Sequence, residues 1–443
     1  SGQGRTIELK VIVLPALGRG PAPDPLFLLA GGPGMPASAL ARVAQAGLRR
    51  VRERREIVLV DQRGTGELSP LRCDDIDADS TYYSFDLDLP VQLLRGCLEA
   101  FDADPSRYTT PAAMDDLDDV RRALGYERIN LWGGSYGTRA ALVYLRRHPE
   151  RVRSIVLDGV APTGMRMPLH IGEDARRSVE LMLSDCETDP DCLEAFPRVR
   201  SRYEELLARL EETPEQVAVP HPRTGEILEL ELRRRHVLFL LRAALYDAET
   251  TRLLPLVIER AHGGDYAPLL ALSEPLMEGV SEMNVPLLFS VLCAEDVAWL
   301  TEEDRRGVAA EPFLGPAVLD MWGPVCDFWP RGELPPGYHD PVVSDKPVLV
   351  LSGRLDPVTP PRWGESVARH LSNSLHVIVP GAAHGASVYG CVPRLIARFL
   401  EDGGVDNLDA GCVDDLRRPM YFRSFTGPRV GVEAAEAPAG DAE

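Results

Sequence analysis

Short apolar runs alternate with helical patterns through the first 165 residues. "TIELKVIVLPA", "PLFLLAGGPG", "REIVLVDQRGTG", "RINLWGGS" and "VRSIVLDGV" have the length, apolar content and turn-forming flanks of strands. Between them, "ASALARVAQAGLRRVRER", "LPVQLLRGCLEAFDAD" and "AAMDDLDDVRRALG" repeat their apolar residues at helical spacing. Such alternation predicts an α/β fold, a mostly parallel sheet with helices on both faces. The pattern then changes. Residues 166–340 read as mainly helical and irregular, with arginine-rich faces, and strand character returns at "KPVLVLSG" and "SLHVIVPG". The expectation is one core, 1–165 and 341–427, interrupted by an inserted cap domain, 166–340. The end, 428–443, is acidic and alanine-rich and is expected to be a disordered tail.

One junction in this pattern carries chemistry. "NLWGGSYGTR" puts Gly-x-Ser-x-Gly between the run "RINLW" and the helical run "TRAALVYLRRHP". A strand, a tight turn and a helix are the setting in which this pentapeptide lifts a serine hydroxyl clear of a sheet as a nucleophile. The candidate nucleophile is Ser135. A serine nucleophile needs a base, and the base needs an orienting acid, in the chain order Ser, acid, His. "PVLVLSGRLDPVTP" leaves a strand and presents Asp356, and "HVIVPGAAHG" leaves the next one and presents His384. The eight other histidines lack such a setting. A tetrahedral intermediate also needs two N–H donors. One is expected from Tyr136, the residue after the nucleophile. The other is expected from the loop "LLAGGPG", where Pro33 has no N–H to give, so Gly32 or Gly34 donates, with Gly32 preferred.

Composition narrows the setting. The chain has 443 residues, 44% hydrophobic and 26% charged, ordinary for a globular protein. Its net charge of −20 argues against nucleic-acid and anionic-membrane partners. Lys10 and Lys346 are the two lysines, so positive charge is nearly all arginine. No apolar run is long enough to span a bilayer, and no signal peptide is visible in the chain. Eight cysteines form no Cys-x-x-Cys pair and cluster with no histidine, so no metal site or cofactor is expected. They fall along the chain as Cys73 with Cys97, Cys186 with Cys192, Cys293 with Cys326, and Cys391 with Cys412. Disulfides in an exported protein, secreted or periplasmic, explain them better than eight buried thiols, although sequence leaves the connectivity open.

Together, "GGPG", "DQRGTG", "GGSYGT", "GRLDPVTP" and "AAHG" resemble the proline iminopeptidase and tripeptidyl aminopeptidase family of α/β-hydrolases, over roughly 5–165 and 341–415. Two features resemble the tripeptidyl branch more closely. Tyr136 stands where proline iminopeptidases usually carry tryptophan, and the stretch from "GAAHG" through Cys391 to Cys412 is similar to the TAP-like C-terminal region. The glycine loop opens with Ala30 where many members have histidine. In "DQRGTG", Asp61 and Arg63 read as a buttress for that loop. The resemblance implies an α/β-hydrolase fold with a large, mainly helical cap and a serine exopeptidase activity. The activity so implied is the release of single residues or short peptides from free amino termini through an acyl-enzyme. It also implies cap carboxylates that hold the substrate's ammonium, and "VLCAEDVAW" offers Glu295 and Asp296 for that task. A carboxylesterase with the same triad is the alternative. A catalytically dead binding protein fits poorly with an intact serine, acid and histidine.

Overall fold

Residues 6–68, 71, 73, 91–221, 224–272 and 282–428 are described by the computed structural model. The strands show why the alternation reads as a sheet covered on both faces. In β2 (Leu26–Leu29), Phe27 and Leu29 enter one core while Leu26 and Leu28 enter another. β5 (Val152–Asp158) divides Ile155 and Leu157 from Val156 in the same way, and β8 (Val348–Gly353) divides Val348 and Val350 from Leu349 and Leu351. Successive side chains leave a strand on opposite faces, so near-continuous apolar strands need helices on both sides.

Seven strands form the main sheet in the order β1-β3-β2-β4-β5-β8-β9. The remaining members are β1 (Val11–Leu14), β3 (Ile57–Val60), β4 (Ile129–Gly134) and β9 (Ser374–Val379). Only β1 runs antiparallel to its neighbour, and every other pairing is parallel. Parallelism places the loops after β2, β4, β5, β8 and β9 along one edge, where open α/β sheets bind ligands. The register is tight there: Gly134 pairs with Asp158, Asp158 with Leu351, and Gly353 with Val379.

Helices Thr110–Ala123 and Tyr136–Arg147 pack one face, and helix Val392–Asp402 packs the other. The run at 37–54, read as one helix, is broken into Ala37–Leu40, Ala41–Ala46 and Arg49–Arg52. The break falls at Gly47, which packs so closely on Val388 that a β-carbon there would come within 2.8 Å of its side chain.

Between β5 and β8 the chain builds a second core from helices and one hairpin, β6 (Glu215–Pro220) with β7 (Ile227–Leu232). Helix Val91–Ala100, part of the early strand–helix alternation, sends Leu94 into this cap core instead of onto the sheet. The C-terminal segment crosses over the cap, and the Tyr421 hydroxyl donates to the Met182 carbonyl at 2.9 Å. Disulfides join Cys73–Cys97, Cys186–Cys192, Cys293–Cys326 and Cys391–Cys412. Among the described residues no helix is long and apolar enough to cross a membrane, and no His, Cys, Asp and Glu cluster is suited to a metal ion. Apart from Pro428, the tail at 428–443 lies outside the described residues.

Candidate active site

β4 ends at Gly134 and helix Tyr136–Arg147 begins one residue later, leaving Ser135 alone to turn the chain. Its φ of 55° and ψ of −122° make it the one non-glycine with positive φ among the described residues. Such a backbone costs about 1–3 kcal/mol and persists where its surroundings hold it. Here the Ser135 N–H donates to the Asp158 carbonyl at 2.9 Å. Its own carbonyl accepts from Thr138 N at 2.9 Å and Thr138 Oγ1 at 2.6 Å. The flanking glycines are steric requirements. A β-carbon on Gly133 would collide with the Gly137 carbonyl, and one on Gly137 with the Leu29 carbonyl.

The acid and the histidine arrive on adjacent loops. Asp356 follows β8 and is fully buried, and His384 follows β9. Asp356 Oδ2 lies 2.9 Å from His384 Nδ1. Oδ1 accepts the N–H groups of Val358 and Thr359, each at 2.8 Å, and Oδ2 accepts the Thr359 hydroxyl at 2.8 Å. Burial opposes ionisation of Asp356, but His384 and these donors hold its carboxyl below the ordinary value. Burial likewise disfavours the charged imidazole, yet Asp356, and behind it Asp158, raise the His384 pKa above the ordinary histidine value. The cap reaches this ring directly. The two rings of His384 and Tyr246 meet edge to face with centroids 5.1 Å apart, and the His384 backbone N–H donates to the Tyr246 carbonyl at 3.0 Å.

The glycine loop lies against the serine, since a β-carbon on Gly31 would stand 3.2 Å from Ser135 Cβ. The N–H groups of Gly32, Gly34 and Tyr136 have no backbone acceptor among the described residues. Tyr136 opens a twelve-residue helix, whose N-terminal dipole also favours negative charge beside Ser135. Asp61 does hold this region: it accepts Ser38 N at 2.7 Å and Ser38 Oγ at 2.9 Å, just past the loop. Arg63 is engaged elsewhere, in a bidentate pair with Asp116 at 2.6 Å on both arms.

The cap carboxylates are not free to receive an ammonium group. Asp296 is paired through both oxygens with Arg139, at 3.1 Å each. Glu295 accepts Thr110 N at 2.7 Å, Thr110 Oγ1 at 2.9 Å and the Tyr338 hydroxyl, with Arg139 at 3.7 Å. Relative exposures of 0% for Glu295 and 1% for Asp296 leave neither a route to a ligand. The expectation that they bind a substrate's amino terminus is therefore corrected. They neutralise a buried arginine four residues beyond Ser135, because a charge in such a place must be paired. The same network reaches Tyr136, whose hydroxyl lies 2.7 Å from Thr110 Oγ1 and 3.2 Å from Gln62 Nε2.

Two residues at this edge escaped sequence reasoning. Thr359 stands three residues after Asp356, a spacing at which a hydroxyl can return to a carboxylate, and that was its available signal. Asp158 ends an apolar strand just before a glycine, and its oxygens accept Ala386 N and Ser387 N, each at 2.8 Å.

Residues 24–225 match the family described as alpha/beta hydrolase fold, and residues 311–412 match the one described as TAP-like protein. The second match begins in the last cap helices and runs through the β8 and β9 loops to Cys412. The chain is 27% identical to the serine protease Hip1 of Mycobacterium tuberculosis, across 87% of this chain and 80% of that protein. It is 23% identical to a tripeptidyl aminopeptidase of Streptomyces coelicolor, across 81% and 70% respectively. A probable proline iminopeptidase of the same organism is 35% identical across 32% of this chain and 34% of its own. The chain belongs to the α/β-hydrolases of the proline iminopeptidase and tripeptidyl aminopeptidase family, with a TAP-like C-terminal region.

Proposed function

We propose that this protein is an exported serine exopeptidase that releases single residues or short peptides from free peptide amino termini. The observation that carries the chemistry is the 2.9 Å contact between His384 Nδ1 and a buried, backbone-anchored Asp356, on the same sheet edge as the strained Ser135. In this reading Asp356 keeps the imidazole proton on Nδ1, so that Nε2 takes the proton of Ser135 Oγ as the hydroxyl attacks the carbonyl. The N–H groups of Gly32 and Tyr136 receive the oxyanion, a contribution of about 3 kcal/mol for each donor. The imidazolium then protonates the leaving amine. Water, activated by the same ring, hydrolyses the acyl-enzyme.

The substrate class rests on the relatives, named as tripeptidyl aminopeptidases, proline iminopeptidases and a serine protease. Four disulfides favour a secreted or periplasmic location. A carboxylesterase or endopeptidase is the second reading, favoured by one observation: Glu295 and Asp296 are occupied and supply no ammonium site. A panel of amino-acyl, tripeptidyl and acyl-ester substrates, with peptide amino termini free or acetylated, separates these readings. The exopeptidase reading expects acetylation to lower kcat/KM by at least about a hundredfold, the scale of losing one buried charge contact. Equal cleavage of free and acetylated peptides overturns it.

A further inference from the structure

Asp158 is 3% exposed and, among the described residues, carries no salt bridge to lysine or arginine. Its backbone carbonyl and both carboxylate oxygens accept from the segments that carry Ser135 and His384. Its backbone carbonyl accepts the Ser135 N–H at 2.9 Å. Its carboxylate accepts Ala386 N on Oδ1 and Ser387 N on Oδ2, both at 2.8 Å, two and three residues past His384. Ser387 is fixed from the other side by the Trp132 indole, whose Nε1 donates to Ser387 Oγ at 2.8 Å. The next residue, Gly159, lies against the His384 ring itself: a β-carbon there would stand 3.3 Å from Cε1.

We propose that Asp158 is the positioning residue of the histidine, clamping the His384 loop to the nucleophile turn and placing a second buried carboxylate where the imidazolium forms. The proposal rests on the triad reading above and extends it. A carboxylate accepting two N–H bonds stays ionised more readily in a buried place. Burial nevertheless pushes the Asp158 carboxyl above its ordinary value, opposed by Ser387, Ala386 and the charge of His384. The charged groups acting on His384 are then Asp356 and Asp158 with one sign, and Arg242 of the cap with the other. Arg242 donates to the Tyr246 hydroxyl at 3.0 Å. Asp356 binds the ring directly and sets its tautomer. Asp158 binds the main chain that carries the ring, and its field favours the protonated form created in each half-reaction.

Asp158→Asn tests both parts. The amide keeps the volume, turns an NH2 group toward one of the two N–H donors, and removes the charge. The expected result is a fall in kcat of about tenfold to a hundredfold with KM held within about twofold, since substrate contacts are untouched. Activity needs the neutral imidazole, and a nearby carboxylate raises the pH at which that form appears. Its loss therefore moves the acid limb of kcat/KM down by about 0.5–1 pH unit. Trp132→Phe removes one tether but leaves the charge, so its kcat falls while its acid limb stays in place. An active wild type with Asp158→Asn at wild-type kcat, or with its acid limb unmoved, overturns the proposal without touching the triad. An inactive wild type overturns the triad reading itself. Should Asp158→Asn not fold, Asp158→Ser carries the test, since it removes both carboxylate acceptors with less bulk: lowered kcat at constant KM supports the clamp, and unchanged kcat overturns it.

Discussion

Asp356 Oδ2 and His384 Nδ1 stand 2.9 Å apart, and Thr359 Oγ1 touches both, at 2.8 Å from the carboxylate and 3.2 Å from the ring nitrogen. The carboxylate has no freedom to turn, because two backbone N–H groups occupy its other oxygen. Thr359→Val keeps the shape and removes one hydrogen bond to a charged group, worth about 1.5–3 kcal/mol. Steady-state kinetics are expected to show kcat lowered about tenfold to a hundredfold, and thermal unfolding a melting temperature lowered in step with that lost bond.

The same pair sets the pH profile. Burial favours the neutral ring, but Asp356 and Asp158 outweigh it and raise the His384 pKa above the ordinary histidine value. The kcat/KM profile is expected to fall on the acid side through a limb above that value. A limb at or below the value of a free histidine contradicts the assignment of His384 as the base.

Asp296→Ala leaves Arg139 buried with the Met165 carbonyl at 2.7 Å and one carboxylate among the described residues, Glu295 at 3.7 Å. Breaking a buried pair from one side costs about 3–5 kcal/mol, and the surviving Glu295 places this variant toward the lower end. Denaturant unfolding is expected to show that loss. The ratio of rates on free and acetylated peptides should not move, because the carboxylate is committed inside the protein. A changed ratio contradicts the structural role given to it.

Cys391 precedes helix Val392–Asp402, and Cys412 lies in the short turn Gly411–Val413 beyond it. Replacing both with serine releases the segment after His384, at the start of that helix, from the turn beyond its end. The loss of a native disulfide is typically about 2–5 kcal/mol. Differential scanning calorimetry under non-reducing conditions measures it against the parent.

The parallel sheet was legible because its evidence is local: apolar runs, periodicity and glycine-rich turns within a few residues of each other. The elbow around Ser135 and the loops of Asp356 and His384 shared that advantage, each lying just after a strand. Glu295 and Asp296 show the opposite case. An acidic pair beside a cysteine looks the same whether it faces a pocket or a buried arginine, and Arg139 lies 157 residues from Asp296. Asp158 was hidden for a similar reason, since its partners Ala386 and Ser387 follow 228 and 229 residues later. Helix Val91–Ala100 shows that periodicity identifies a helix but not the core it joins. A local pattern names an element or a loop. Which distant side chain neutralises a buried charge depends on the folded arrangement.

Every step proposed above depends on Ser135 acting as the nucleophile, activated by His384 and Asp356. Its most direct test is covalent labelling with a fluorophosphonate, followed by peptide mass spectrometry and residual activity on the preferred peptide substrate. One adduct per chain is expected, on Ser135, formed in step with loss of activity. Ser135→Ala is expected to fold, take up no label, and lose activity by several orders of magnitude. An adduct on another serine, or near-parental activity in Ser135→Ala, would contradict it.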